Sequence, residues 1–208
     1  DEVQRQKAAD AAARKAAQLE AAAKPSAQSA AIPAPPPTQT RAAALQGFKT
    51  ALARPPEQAP RLPNPPATLF VRSNYLAATN PEAPAFVTPD PKDGRKHPAI
   101  IWLTGGDTST LVDFWMQGPE NNDQSARAFR EAGVVMMFPT LRGNTQHGGD
   151  REYFLGEVLD VLAAAEHLAR LPYVDTRRIY VGGHSTGGTL ALLAVETSDR
   201  FAAAFAFG

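Results

Sequence analysis

The chain has 208 residues, with 21 basic and 21 acidic side chains and no cysteine. Balanced charge argues against nucleic acid and against a charged membrane surface as the partner, and it favours a small, discrete ligand. Without cysteine, disulfides, thiolate catalysis and cysteine-ligated metal sites are excluded. The sequence contains no apolar run of about 18 residues, so it predicts no membrane span. Because the first residue is Asp1 and not Met, an upstream signal or membrane anchor could have been removed, and the compartment stays open.

Residues 1–66 form a predicted N-terminal extension. Residues 1–24 are rich in alanine and charged side chains, a composition of high helix propensity, but they lack an apolar stripe that could pack on anything. Residues 25–66 contain eleven prolines, each of which fixes φ and removes a backbone donor. We therefore expect a solvated stalk, helical or disordered, followed by a semi-rigid linker, with the folded domain at residues 67–208.

The folded part begins with short strand-like runs at residues 69–71 and 85–87, separated by a turn around Asn80-Pro81. A continuous apolar run at residues 99–103 predicts a strand buried on both faces, and it ends at Thr104-Gly105-Gly106. A short helix is predicted over residues 122–132, where Gly133 stops it, and residues 134–138 form the next buried strand.

The second half continues the alternation of strand and helix. Apolar spacing predicts a helix over residues 151–171, ended by Pro172, then a strand at 179–181, a helix at 189–195 and a last strand at 201–207. The βαβα order with right-handed crossovers predicts an α/β fold, with a mostly parallel sheet covered by helices on both faces.

Gly183-His184-Ser185-Thr186-Gly187 lies between the predicted strand and helix of this second half. In the nucleophile elbow of α/β-hydrolases, a strained strand-to-helix turn holds a serine hydroxyl clear of the sheet, where a base can reach it. Gly183 and Gly187 let the helix pack against the strand because they lack side chains. The pattern alone also fits a structural turn or the start of a dinucleotide site, and its strand–helix context favours Ser185 as nucleophile.

Backbone N–H groups near this turn are candidate oxyanion donors. The N–H of Thr186 lies at a predicted helix start, where it has no intrahelical acceptor. The second donor is expected from the loop after the strand that ends at Leu103, so we predict the N–H of Gly106 or Asp107.

The four histidines have no metal-ligand spacing, and we expect neither a metal nor another cofactor. His184 cannot act as base on its neighbour's hydroxyl, and we expect it to make a local hydrogen bond. His97 is predicted in the loop that enters a strand, His147 in an exposed Gly-rich loop and His167 on a helix face.

From about Phe70 to Gly208 the chain resembles the catalytic domain of the prolyl oligopeptidase family of serine peptidases. The resemblance is carried by residues 97–106, 138–143, 156–168, 173–179 and 182–188, in that order. Residues 138–143 resemble the family segment that usually reads Asp-Tyr-Arg-Gly. The resemblance implies an acyl-enzyme at Ser185 and a small peptide substrate.

Two positions depart from the family pattern. Thr104 stands where some members place a tyrosine whose hydroxyl stabilises the oxyanion, and Thr186 stands where a tyrosine often follows the serine. In α/β-hydrolases the acid and the histidine of the triad follow the serine in the chain. No residue of this sequence can be assigned to either role, so we expect the fold to be incomplete at its C-terminal end, the acid and base to lie beyond Gly208, and this chain by itself to be inactive.

Two other functions remain open at the level of the sequence. A carboxylester hydrolase related to dienelactone hydrolase would use the same elbow on an ester substrate. A catalytically inactive hydrolase-like module, tethered to a protein partner by its proline-rich arm, would also fit a chain without an assignable acid and base. The sequence does not predict an oligomeric state.

Overall fold

The computed structural model describes residues 43, 50–58, 61–106, 111, 114–121, 123–144 and 146–208. The predicted stalk at residues 1–24 and much of the linker lie outside the described residues. Among the described residues, no helix combines the length and apolar character that crossing a bilayer requires.

An antiparallel lead-in opens the sheet. Strand β1, Val71–Tyr75, pairs with β2, Ala83–Val87, so the first strand begins at the last residue of the predicted run. The predicted turn at Asn80-Pro81 is confirmed, since the backbone N–H of Ala77 donates to Asn80 O at 3.0 Å and that of Asn80 donates to Ala77 O at 3.3 Å.

The remaining four strands are parallel to one another, as predicted. They are β3, His97–Leu103; β4, Val135–Pro139; β5, Val174–His184; and β6, Ala204–Phe207. The order across the sheet is β1-β2-β4-β3-β5-β6, with β2 antiparallel to β4. The predicted mostly parallel sheet is confirmed.

Among the described residues, three helices connect the strands: α1, Arg127–Glu131; α2, Leu155–Arg170; and α3, Thr186–Thr197. The first is shorter than predicted because Asp123 holds the preceding residues in a turn, in which its Oδ1 accepts the backbone N–H of Ser125 at 3.0 Å. At its other end, Gly133 has φ +78°, a left-handed conformation that glycine adopts at little cost.

Alternating side chains divide the core between the two faces of the sheet. Ile101 and Val181 pack on the face covered by α2 and α3, while Ile100 and Trp102 pack on the opposite face with Phe129 of α1. Helices therefore cover both faces, as predicted. On the α1 face, four rings (Phe70, Phe86, Phe114 and Phe138) pack with centroid separations of 4.4–5.5 Å.

Arg142 ties the loop after β4 to helix α2. Its Nε and Nη2 donate to the two carboxylate oxygens of Asp160 at 2.9 and 2.8 Å, and its Nη1 donates to Glu152 at 2.7 Å. Burial by itself lowers the pKa of the guanidinium, but the hydrogen bonds that it donates to Asp160 outweigh this effect and raise the pKa. The ion pair joins two of the segments that carry the family resemblance.

Residues 50–58, which we call the N-terminal arm, contact the same loop. The backbones of Arg54 and Arg151 exchange two hydrogen bonds, of 2.9 and 2.8 Å, and the N–H of Glu57 donates to Gly143 O at 3.2 Å. The arm lies within the predicted linker, and its prolines at 55 and 56 stand between the paired positions.

Candidate active site

Ser185 lies at the turn where β5 passes into α3. Its backbone has φ +53° and ψ −118°, and its side chain is exposed. Non-glycine residues rarely adopt this conformation, which costs on the order of 1–3 kcal/mol and persists where the surroundings fix it. Here the N–H of Ser185 donates to Phe207 O at 2.6 Å, and its carbonyl accepts the N–H of Thr189 at 3.0 Å.

The two glycines of the elbow lie where a side chain would collide with backbone. A Cβ at Gly187 would lie 2.1 Å from Leu103 O, and one at Gly183 would lie 2.5 Å from the carbonyl of Gly187. Helix α3 can therefore approach β5 and the end of β3 only because both positions lack a side chain.

The loop after β3 lies beside the elbow, because Leu103 and Gly183 are paired in the register of neighbouring parallel strands. The Thr186 hydroxyl donates to Gly106 O at 2.8 Å, which ties the first residue of α3 to this loop. Gly106 has φ +71°, a left-handed conformation. Of the predicted donors, the structure brings Thr186 and Gly106 together, whereas Asp107 lies outside the described residues.

A second contact holds the loop from the other side. The Gly105 N–H donates to Oε1 of Gln124 at 2.7 Å, and Trp102 Nε1 donates to the backbone carbonyl of Gln124 at 2.9 Å. Gln124 was not among the predicted site residues, since nothing in a polar segment 19 residues from Gly105 indicates this bond.

With this geometry established, the chain was compared with known proteins. Residues 121–207 match the model of the prolyl oligopeptidase family. The matched segment contains the elbow, both helices that flank β5 and the Arg142 loop, so the resemblance predicted from the sequence is confirmed.

Two curated relatives support the match to the prolyl oligopeptidase family. The chain is 32% identical to dipeptidyl-peptidase 5 of Porphyromonas gingivalis over 124 residues, which are 55% of this chain and 17% of that protein. It is 30% identical to dipeptidyl peptidase 8 of Homo sapiens over 125 residues, 56% of this chain and 14% of that protein. The chain thus spans less than a fifth of either relative.

A solved structure gives the fold. The puromycin-hydrolyzing peptidase of Mycobacterium tuberculosis matches with a TM-score of 0.52 at 22% identity, over 67% of this chain and 22% of that chain. The likeness confirms the predicted α/β-hydrolase fold.

Three of the four histidine side chains contact polar groups that lie outside the elbow. His97 Nε2 lies 3.0 Å from Asp93 and His167 Nε2 lies 2.8 Å from the hydroxyl of Ser73. His147 Nδ1 lies 3.0 Å from Gly148 O, and its ring is buried, 2% exposed. The prediction that His147 lies in an exposed loop was therefore wrong, because that loop folds its imidazole onto the Tyr75 ring.

His184, inside the elbow, was expected to make a local hydrogen bond. Its Nδ1 is buried and has no hydrogen-bond partner among the described residues. A Cβ at Gly105 would lie 2.9 Å from this atom, so the imidazole packs tightly against the loop after β3.

A cavity of about 300 Å³ lies behind the elbow, lined by residues that include His184, Trp102, Phe129 and Phe207. Asp123 lies at its rim. Burial raises the pKa of this carboxyl, but hydrogen bonds from Ser125 and Gly118 outweigh that effect and hold the pKa below its usual range. No group of three or more histidine, aspartate or glutamate side chains among the described residues is arranged to bind a metal ion.

Proposed function

We propose that the protein is a serine peptidase in which Ser185 forms the acyl-enzyme. The observation that carries the proposal is the exposed Ser185 at φ +53° between β5 and α3, within a segment that matches the prolyl oligopeptidase family. The names of the two dipeptidyl peptidases support a small peptide as substrate.

In the proposed reaction, Ser185 Oγ attacks the carbonyl carbon of the scissile bond while its proton passes to a histidine base. The C–N bond then breaks as the histidine gives that proton to the leaving amine. Water, deprotonated by the same base, attacks the ester and releases the acid and the free serine.

The oxyanion of the tetrahedral intermediate would be bound by backbone N–H groups. Thr186 supplies one, because the first N–H of a helix has no intrahelical acceptor and the helix dipole favours negative charge there. Gly106 or Asp107 supplies the second, and the bond from the Thr186 hydroxyl to Gly106 O supports the choice of this loop.

The base and the acid would come from chain that follows Gly208, in keeping with the triad order of α/β-hydrolases. The contacts of His97, His147 and His167 with groups other than Ser185 support this assignment. Residues 67–208 would then be the nucleophile-bearing part of the catalytic domain, and residues 1–66 its extension.

A fluorophosphonate probe tests the proposal, because Ser185 Oγ would bond to phosphorus as the P–F bond breaks and fluoride leaves. Intact mass would be measured for this chain, for the natural gene product extended beyond Gly208, and for Ser185→Ala in both. We expect one adduct on the extended form and none on its Ser185→Ala variant. An extended form that never labels at Ser185 would overturn the proposal.

Peptide and ester substrates can be distinguished with the extended form that has not been treated with the probe. We expect it to release amine from short peptide amides at a rate that depends on Ser185. Hydrolysis of esters alone, with peptide amides untouched, would favour a carboxylester hydrolase.

A further inference from the structure

The loop that carries Gly105 and Gly106 is held at two consecutive places by side chains. The peptide N–H of Gly105 is bound by Gln124, and the carbonyl of Gly106 is bound by the hydroxyl of Thr186, at 2.7 and 2.8 Å. Between these two anchored groups lies one peptide unit, which contains the carbonyl of Gly105 and the N–H of Gly106. Its orientation is set by the two anchors and by the left-handed φ of Gly106.

Gln124 is itself firmly placed. Trp102, a buried residue of β3, fixes the Gln124 backbone carbonyl through its indole N–H at 2.9 Å. The neighbouring Asp123 accepts the hydroxyl of Ser125 at 2.6 Å and the N–H of Gly118 at 3.2 Å, which holds the turn on which Gln124 lies. A side chain that extends from a backbone fixed in this way can impose a geometry on the loop that it contacts.

The contact also determines which N–H remains for catalysis. Because Gly105 N–H is already bonded to Gln124, it cannot bind the oxyanion, and the next N–H along the loop is that of Gly106. An oxyanion donor acts well only if it is oriented before the reaction, and loss of one donor slows catalysis by about 10²–10³.

We infer that Gln124 and the hydroxyl of Thr186 are positioning groups that orient the Gly105–Gly106 peptide, so that Gly106 N–H serves as the second oxyanion donor. The inference rests on the proposed function. It gives Thr186 two roles: the backbone N–H binds the oxyanion, and the side chain holds the loop that carries the other donor.

The test measures fluorophosphonate labelling of Ser185 on the natural-length gene product, with the maximal rate of labelling (kinact) and the half-saturating probe concentration (KI) determined separately. Gln124→Leu keeps the size of the side chain and removes the acceptor. We expect kinact to fall about 10–100-fold, which is no more than the effect of losing an oxyanion donor altogether. We expect KI to change less than about threefold. Gln117→Leu, an exposed position in the preceding loop, is the matched control and should label at the natural rate.

Thr186 provides an independent variant if Gln124→Leu does not fold. Thr186→Val replaces only the hydroxyl, with a methyl group, and we expect the same fall in kinact. Thr186→Ser, which keeps the hydroxyl, should restore kinact. Because both anchors act on one peptide, the double variant should slow labelling by less than the product of the two single effects.

The outcomes separate this inference from the proposed function. If the natural protein does not label at Ser185, both are overturned. If it labels and the folded Gln124→Leu and Thr186→Val variants label equally fast, only the positioning role is overturned. A rise in KI with an unchanged kinact would likewise contradict it, because the side chains would then act on probe binding.

Discussion

Arg142 illustrates how a single residue can hold the elements around the site. Its guanidinium is 6% exposed and donates to Asp160, which is completely buried, so removing one partner would leave the other charge in the core. We expect Arg142→Met to lower the free energy of unfolding by about 3–5 kcal/mol. Urea denaturation would measure the loss, and Arg177→Met, which removes an exposed guanidinium that pairs with Asp175, should show no measurable change. Equal stability of both variants would contradict the prediction.

Glu157 is a buried carboxyl near the same ion pair. Burial raises its pKa, and its Oε2 has no hydrogen-bond partner among the described residues. A raised pKa means that the folded state binds the proton more tightly than the unfolded state. The residue therefore favours folding at low pH, and this contribution is lost as pH rises from the usual range of a glutamate through the raised pKa.

Glu157→Gln removes this titration. We expect the variant to be more stable than the natural chain at pH 8 and to lose that advantage as the pH approaches 4, because the natural side chain is then neutral too. Urea midpoints across this range would show the convergence, with the same substitution at the exposed Glu82 as the matched control. A constant difference at every pH would rule out the titration of Glu157 as its cause.

At the scale of elements, the approach of α3 to β3 depends on Gly187. Alanine has a better helix propensity than glycine by about 1 kcal/mol, so propensity alone favours Gly187→Ala. The new Cβ would, however, lie 2.1 Å from Leu103 O, which is backbone and cannot rotate away. We expect a net loss of about 1–3 kcal/mol in unfolding free energy, as for other overpacked positions.

The exposed Thr189→Ala, in the same helix, is the control for this prediction, and thermal unfolding should show it to be unchanged or slightly more stable. If Gly187→Ala unfolds at the same temperature as the natural chain or at a higher one, the close approach of α3 and β3 does not require glycine at this position.

The elements differ in how well the sequence predicted them. Strands β3 and β4 were predicted within two residues, because strands buried on both faces give continuous apolar runs. Strand β5 begins at Val174 and not at 179, because Val174 pairs with His97 of β3; residues 175–178 form an irregularity with mostly exposed side chains before pairing resumes at Ile179 with Ala99. Such pairing joins distant residues and leaves no local pattern.

The same distinction holds for the site. The strand–serine–helix order around Ser185 is local, and the sequence predicted it. The contacts that hold the loop after β3 are not local, since Gln124 and Gly105 are 19 residues apart and Thr186 and Gly106 are 80 apart. Burial of His147 escaped prediction for the same reason, because a polar, glycine-rich segment shows no sign of the Tyr75 ring that covers it.

At the scale of the whole molecule, the N-terminal arm is a part of the predicted linker that contacts the folded domain. Its three backbone hydrogen bonds to Gly143 and Arg151 brace the loop after Arg142, which is otherwise held by the guanidinium and by Asn80, whose side chain donates to His147 O at 2.6 Å. Deleting residues 1–60 should therefore loosen this loop, whereas deleting residues 1–37, up to the end of the triple-proline run, should not.

Amide hydrogen exchange at Arg151 tests this directly, because its N–H donates to Arg54 O at 2.8 Å. A net hydrogen bond contributes about 0.5–1.5 kcal/mol, so exchange at Arg151 should quicken by up to about tenfold in the shorter chain. The amide of Val181, in the central sheet, serves as the internal reference and should keep its protection. Unchanged exchange at Arg151 would show that the folded domain holds this loop without the arm. A domain that begins at the predicted boundary, residue 67, would then be enough to hold the loop.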